Sequence, residues 1–367
     1  MRIVADENIP GLEAWCAGLG EITTVPGRAL SRAMLRDADV LLVRSVTRVG
    51  PELLEGTPVR FVGTATAGVD HVDVPSLQAR GIRFAAAPGC NAVAVAEYVL
   101  ACSLRYARDI GRALADLRVG IVGAGHVGTA VAHLLTALGV RWVAHDPPRA
   151  LRDSGFAGVP RDQVLASDIV TLHVPLVDEG PHPTRHLVGA PEIAALAPRA
   201  LLVNAARGGV LDEAAWLAHA GSRQLAVDCW EGEPRILPAL RAVALVASPH
   251  VAGHTVDARL RATGMLAHAL TAWLGLAAPP APPPPASVAL DWRARPRWEE
   301  IVRACCDPDS FTAAMQAMPE GDSGPHFDRL RARFGVRREF AAHVVRGMPR
   351  DDPARARLQA LGFECDA

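Results

Sequence analysis

The chain has 367 residues, 50% of them hydrophobic, with a formal net charge of −1, which is enough length and apolar content for two or three domains with sizeable cores. That charge balance excludes the broad basic field a nucleic-acid or acidic-membrane ligand demands, and no apolar run reaches membrane-spanning length. All 38 basic residues are arginine, so neither a Schiff-base lysine nor a P-loop lysine exists, and an anion must be met by guanidinium groups, backbone N–H groups or hydroxyls.

In chain order, residues 2–5 read as a first strand and not as a secretion signal. Further strands are expected at 40–44, 61–64 and 83–85, with helices near 10–17, 31–37 and 51–56. Such alternation implies a parallel sheet covered by helices. Residues 91–111 read as one long helix with Asn91 as its N-cap.

At 119–128 a buried strand runs into Gly123-Ala124-Gly125-His126-Val127-Gly128 and the start of a helix. Gly123 permits the tight turn, Gly125 lets a pyrophosphate approach the backbone, and Gly128 lets helix and strand pack closely. A second apolar run, 140–144, leads to Asp146, 18 residues past Gly128, where a carboxylate can hold a ribose 2′-hydroxyl and repel a 2′-phosphate. The pattern therefore favours NAD over NADP.

Later strands are expected at 169–173, 200–204, 225–228 and 243–247, followed by a long helix at 255–274. Residues 278–285 form a proline-rich linker. In the tail, 307–318 and 323–334 read as amphipathic helices and 339–345 as a strand.

Because the glycine turn lies in mid-chain, the simplest α/β architecture has two Rossmann-like parallel-sheet domains, one inserted into the other, with the active site in the cleft between them. The expected division is a substrate domain from 1–110 and 255–278, an NAD domain at 111–254, a linker at 279–285, and a small α+β C-terminal dimerisation domain at 286–367.

Three polar segments end successive strands: Asn204-Ala205-Ala206-Arg207, Asp228-Cys229-Trp230-Glu231-Gly232-Glu233 and Ser248-Pro249-His250. Strand carboxyl ends are where open parallel sheets bind ligands. Oxidising a secondary alcohol needs a proton acceptor as well as a hydride acceptor. His250 suits the first role, Glu233 can fix its tautomer, and Arg207 can fork onto a substrate carboxylate. Asp228 suits the nicotinamide side. Each has a plain alternative: a surface ion pair for Arg207, a solvated acid for Glu233, a structural histidine for His250. No metal site is expected, since His250 and His254, four apart, are separated by Gly253 and lack a third ligand. The seven cysteines show no Cys-x-x-Cys spacing and read as reduced thiols of a cytoplasmic protein.

These motifs, in this order, resemble the D-isomer-specific 2-hydroxyacid dehydrogenases. Arg44-Ser45-Val46-Thr47-Arg48, Gly63-Thr64-Ala65-Thr66-Ala67-Gly68-Val69-Asp70-His71 and Asp228-Cys229-Trp230-Glu231-Gly232-Glu233-Pro234 narrow the resemblance to the erythronate-4-phosphate dehydrogenase family. It is strong to about residue 275 and looser in the tail. It implies oxidation of 4-phospho-D-erythronate by NAD, a step toward pyridoxal 5′-phosphate, in a homodimer joined through the C-terminal domain. Arg207, Glu233 and His250 would be catalytic, with His250 the proton carrier. Ser45 and Thr66 would contact substrate, with Arg44 and Arg48 as further candidates. Gly123, Gly125, His126, Val127, Gly128, Asp146, Ala206, Asp228 and Gly253 would contact NAD.

One position departs from the family, which places tyrosine as a substrate contact where this chain has His254. The alternatives are a related dehydrogenase, such as one acting on 3-phosphoglycerate, and an NADH-sensing corepressor on the same fold.

Overall fold

The computed structural model describes residues 1–295, 297–319, 321 and 324–366. The chain forms two compact units. One combines Met1–Asn91 with Asp257–Pro285; the other combines Ala92–Val256 with the residues from Ala286 onward.

In the first unit, β1 (Arg2–Asp6), β2 (Glu21–Val25), β3 (Val40–Val43), β4 (Phe61–Thr64) and β5 (Arg83–Ala85) form a wholly parallel sheet in the order β2-β1-β3-β4-β5. This is a doubly wound order with its switch point between β1 and β3. The central strands β3 and β4 are buried along their whole length, as their apolar runs require. Sequence patterning missed β2, an edge strand with no buried residue, whose threonines carry no core signal. The helix Val256–Trp273 closes this unit, burying Leu266 and Leu270 against Ile3, Val40, Leu42 and Phe61.

In the second unit, β6 (Arg118–Val122), β7 (Arg141–His145), β8 (Ile169–Leu172), β9 (Leu201–Asn204), β10 (Gln224–Val227) and β11 (Val246–Ala247) are also all parallel, in the order β11-β10-β9-β8-β6-β7. The chain runs outward from β6 to β7 and then returns across β6 to β8, so the glycine turn after β6 lies at a topological switch point. The register is flush. His145, Val122, Leu172, Asn204, Val227 and Ala247 form a single row across all six strands. With strands about 4.8 Å apart, that row is roughly 24 Å long. The strand expected at 243–247 is shorter than its apolar run, because Val243 ends the helix Pro238–Val243.

The long helix occupies Ala92–Asp109 and belongs to the second unit, not to the substrate unit as its expected boundary at 110 implied. Its apolar face packs with the helix His126–Ala137 in one core.

The tail joins the same core. Its strands β12 (Val288–Asp291), β13 (His343–Arg346) and β14 (Glu364–Cys365) form a parallel three-stranded sheet. Ile301, Phe311, Phe340, Met348 and Leu358 are buried in one cluster with Tyr98 and Leu100. Polar links reinforce this: Glu97, 1% exposed, accepts the Phe340 N–H at 2.7 Å and faces Arg337 at 3.5 Å. The amphipathic helices expected in the tail are present as Pro308–Gln316 and Gly324–Phe334, the first position of the second, Ser323, lying outside the described residues. The strand expected at 339–345 begins only at His343, after a 3-10 turn at Phe340–Ala342. Among the described residues, no helix is long and apolar enough to cross a membrane.

Candidate active site

The residues that follow the flush row are Gly123 after β6, Asp146 after β7, Asp228 after β10 and Ser248 after β11. Gly123 has φ +88°, and a Cβ there would lie 2.6 Å from the His173 carbonyl oxygen. A Cβ on Gly128 would lie 2.0 Å from the Gly123 carbonyl oxygen, so the helix His126–Ala137 can seat on the turn only with glycine at that position. Nothing stands within 4 Å of a Cβ built on Gly125, and both Gly125 and His126 are exposed, which leaves the first N–H groups of the helix open to an anion.

Asp146 is held beside this turn. It accepts the Ala124 N–H at 2.7 Å on one oxygen and caps the helix Pro147–Arg152 through the Arg149 N–H at 2.8 Å on the other. A carboxylate has lone pairs left for a ribose hydroxyl after two such bonds. An exposed helix N-terminus at a glycine turn with a fixed carboxylate beside it fits the diphosphate and ribose of a dinucleotide.

At the other end of the row, the loops after β9, β10 and β11 are tied into one assembly. The Asn204 amide, 1% exposed, donates to the carbonyls of Arg207 and Cys229, both at 3.1 Å. Asp228, expected at the nicotinamide, is buried and accepts the Ser248 hydroxyl at 2.6 Å, the Val251 N–H at 2.7 Å and the Ala252 N–H at 3.0 Å. The Tyr98 hydroxyl meets Ser248 Oγ at 2.8 Å, and the Trp230 indole donates to the Ser248 carbonyl at 2.8 Å.

This bracing holds His250 in the left-handed region at φ 55°, a conformation that costs a non-glycine residue about 1–3 kcal/mol unless its surroundings enforce it. The strain points the ring at Glu233: Nδ1 lies 2.7 Å from Oε2, while Oε1 accepts the Trp230 N–H at 2.7 Å. Nδ1–H facing a carboxylate leaves Nε2 as the ring nitrogen able to take or give a proton. Arg207 lies at the head of its loop, where Nη1 donates to the Ala206 carbonyl at 2.8 Å. Ala206 is buried, and Gly253 is half-buried beyond the clamped segment.

The electrostatics follow the geometry. Burial opposes a charge on His250, but the Cys229 sulfur and the Glu233 carboxylate favour it, and the net direction is well above the ordinary imidazole value. Glu233 is the dominant partner, because burial pushes the Cys229 thiol up and keeps it protonated. Glu233 is itself held below the usual carboxylate range. Burial works against that direction and is outweighed by the charge and hydrogen bond of His250, the Trp230 N–H and the charge of Arg331. Donor atoms of Cys229, Glu233 and His250 lie within 4.8 Å of one another. A protonated thiol and an occupied Nδ1 suit this set to proton transfer rather than to metal binding.

In the first unit, Ser45 is exposed in the turn after β3, and Thr66 lies two residues past the end of the neighbouring strand β4. The Thr66 hydroxyl donates to the Gly68 carbonyl at 2.7 Å and meets Thr64 Oγ1 at 2.8 Å. Both candidates thus stand at the carboxyl edge of one sheet. Arg44 and Arg48 flank the same turn, half-buried and exposed.

Asn204, Trp230 and Ser248 fall within the polar segments that the sequence singles out, but their bracing contacts were not legible there, and Tyr98 meets Ser248 across 150 residues of chain. His173 was also missed; it follows β8 in the flush row, and burial depresses its pKa to about 3, so the ring is neutral.

Residues 94–252 match the family model described as the NAD binding domain of D-isomer specific 2-hydroxyacid dehydrogenases. The erythronate-4-phosphate dehydrogenase of Pseudomonas aeruginosa (strain UCBPP-PA14) is 43% identical over 379 aligned positions, covering 99% of this chain and 100% of that protein. The enzyme of the same name from Azotobacter vinelandii (strain DJ / ATCC BAA-1303) is 43% identical over 381 positions, with 99% and 100% coverage. Among solved structures, the TT0316 protein from Thermus thermophilus matches with a TM-score of 0.64 and 25% identity, over 77% of this chain and 99% of that one.

Proposed function

The chain belongs to the erythronate-4-phosphate dehydrogenase family of D-isomer-specific 2-hydroxyacid dehydrogenases, and from that membership we propose that it oxidises 4-phospho-D-erythronate to (R)-3-hydroxy-2-oxo-4-phosphooxybutanoate, a step in pyridoxal 5′-phosphate formation. When bound, NAD supplies the hydride acceptor, and this chain's residues supply position and proton transfer. His250 Nε2 takes the proton of the C2 hydroxyl as the carbonyl forms, and the Glu233 carboxylate stabilises the resulting imidazolium. Arg207 grips the C1 carboxylate and polarises the reacting oxygen. Ser45 and Thr66 hold substrate from the first unit, which serves as the substrate domain, while the second carries NAD on the glycine turn and Asp146. His254, at the family's tyrosine position, donates a hydrogen bond to the substrate. The enzyme acts in the cytoplasm as a homodimer joined through residues 286–367.

The observation that carries this reading is the 2.7 Å His250–Glu233 pair, held at the end of the sheet row that also bears the glycine turn. The test is NADH formation by the purified protein on a panel of hydroxyacids. 4-Phosphoerythronate should give the highest kcat/KM; a preference for 3-phosphoglycerate or lactate would sink the substrate assignment. His250→Ala should lose about 10²–10⁴-fold in rate. Undiminished turnover would remove His250 from its role.

A further inference from the structure

The substrate assigned above has two anionic ends, and in the second unit the loop after β9 supplies Arg207 for one of them. A second comes from a different element. The helix Gly324–Phe334 is anchored on the second unit by Phe327, which is buried in the cluster of Trp230, Ile236 and Leu240, and by Phe334, which packs edge-on against Phe311 at 4.8 Å. Positions 327, 331 and 335 are four apart and share one line along the helix and its exit turn. That line faces the catalytic loops at three points. Phe327 joins the Trp230 cluster, Arg331 helps hold the Glu233 carboxyl low, and Gly335 lies against His254, whose Cε1 would be 2.8 Å from a Cβ at 335.

Arg331 is the unexplained member. Its Nε is shielded from solvent and has no hydrogen-bond partner among the described residues. It is close enough to act on Glu233, whose carboxylate is already engaged with His250 and the Trp230 N–H. A shielded guanidinium N–H without an acceptor is costly, and the cost is relieved by an anion delivered with the ligand. In a chain without lysine, a phosphomonoester carrying about −1.5 to −2 charge is the anion that most needs such a fork.

We propose that Arg331, together with His254 against Gly335, forms a phosphate-recognition subsite at which the C-terminal segment reads the phosphomonoester end of the substrate. The subsite rests on the functional reading above and deepens it. It gives the tail a part in specificity, separate from any part in assembly.

The test uses full-length Arg331→Gln and Arg331→Lys. With 4-phosphoerythronate, Arg331→Gln should lower kcat/KM by about 10- to 100-fold, mostly through KM, as expected for losing a charge-assisted contact. With unphosphorylated erythronate it should change little, so the preference for the phosphorylated acid collapses, and Arg331→Lys should restore part of it. A second readout needs no turnover: the rise in melting temperature produced by inorganic phosphate on the wild type should be lost in Arg331→Gln. An equal loss on both acids, with a displaced pH profile and an unchanged phosphate-induced shift, would make Arg331 a positioning residue for Glu233 and overturn the subsite. If the wild type prefers another hydroxyacid, the substrate assignment fails on its own. The phosphate-induced shift then still decides the subsite: its loss in Arg331→Gln upholds the subsite, and an unchanged shift overturns it.

Discussion

His250 is useful because two demands meet on it. Its backbone is strained at φ 55°, and its Nδ1 is committed to Glu233. The raised pKa favours the protonated ring, whereas taking a proton from an alcohol needs it unprotonated. Oxidation should therefore accelerate as pH rises through that pKa, and ketoacid reduction should slow. Glu233→Gln removes the stabilising carboxylate, lowers the pKa of His250 and moves the oxidation limb to lower pH; kcat/KM against pH reads this directly, and an unmoved limb contradicts the pairing.

Glu213 offers a stability test. Burial raises its pKa to about 7, outweighing the hydrogen bond from the Glu231 N–H, with the nearby Glu231 and Glu233 charges adding to the rise. A carboxyl whose folded pKa is raised destabilises the native state as pH climbs from about 4.5 through 7. Glu213→Gln keeps an acceptor for the Glu231 N–H. Its unfolding free energy at pH 8 should exceed that of the wild type by on the order of 1–3 kcal/mol, seen as a higher melting temperature, with little difference at pH 5. A lower melting temperature at pH 8 would contradict this.

At the scale of elements, the glycine turn and the helix His126–Ala137 form one rigid piece. Gly128→Ala sets a Cβ against the Gly123 carbonyl and lifts the helix off the turn, so NAD affinity measured by titration should fall at least tenfold. Native affinity in that variant would show that the turn yields. The turn was legible because its requirements are local: one positive φ, one close approach and an anion-facing helix end, all within six residues. The strand β2 was not legible because an exposed edge needs no apolar pattern. The end of β11 was misjudged because 243–247 is apolar throughout, and only the helix Pro238–Val243 divides the run between two elements.

At the scale of the whole molecule, the tail is structural to the unit that bears His250. Removing residues 286–367 would uncover Tyr98, Leu100 and Val246 and break the Glu97 bond to the Phe340 N–H. The truncated protein should lose cooperative melting and aggregate; a soluble monomer with a near-native melting transition would refute this. Local patterns along the chain suffice for the two parallel sheets, the dinucleotide turn with Asp146, and the placing of Arg207, Glu233 and His250 after strands. Each of these is a short-range pattern of apolar runs, glycines and polar caps. The three-dimensional fold is needed to show that the helix Ala92–Asp109 and the tail share one core, that Asp228 and Asn204 brace the loops after β9, β10 and β11, and that Arg331 acts on Glu233. These depend on contacts between residues tens to hundreds of positions apart, for which a single sequence carries no local signal.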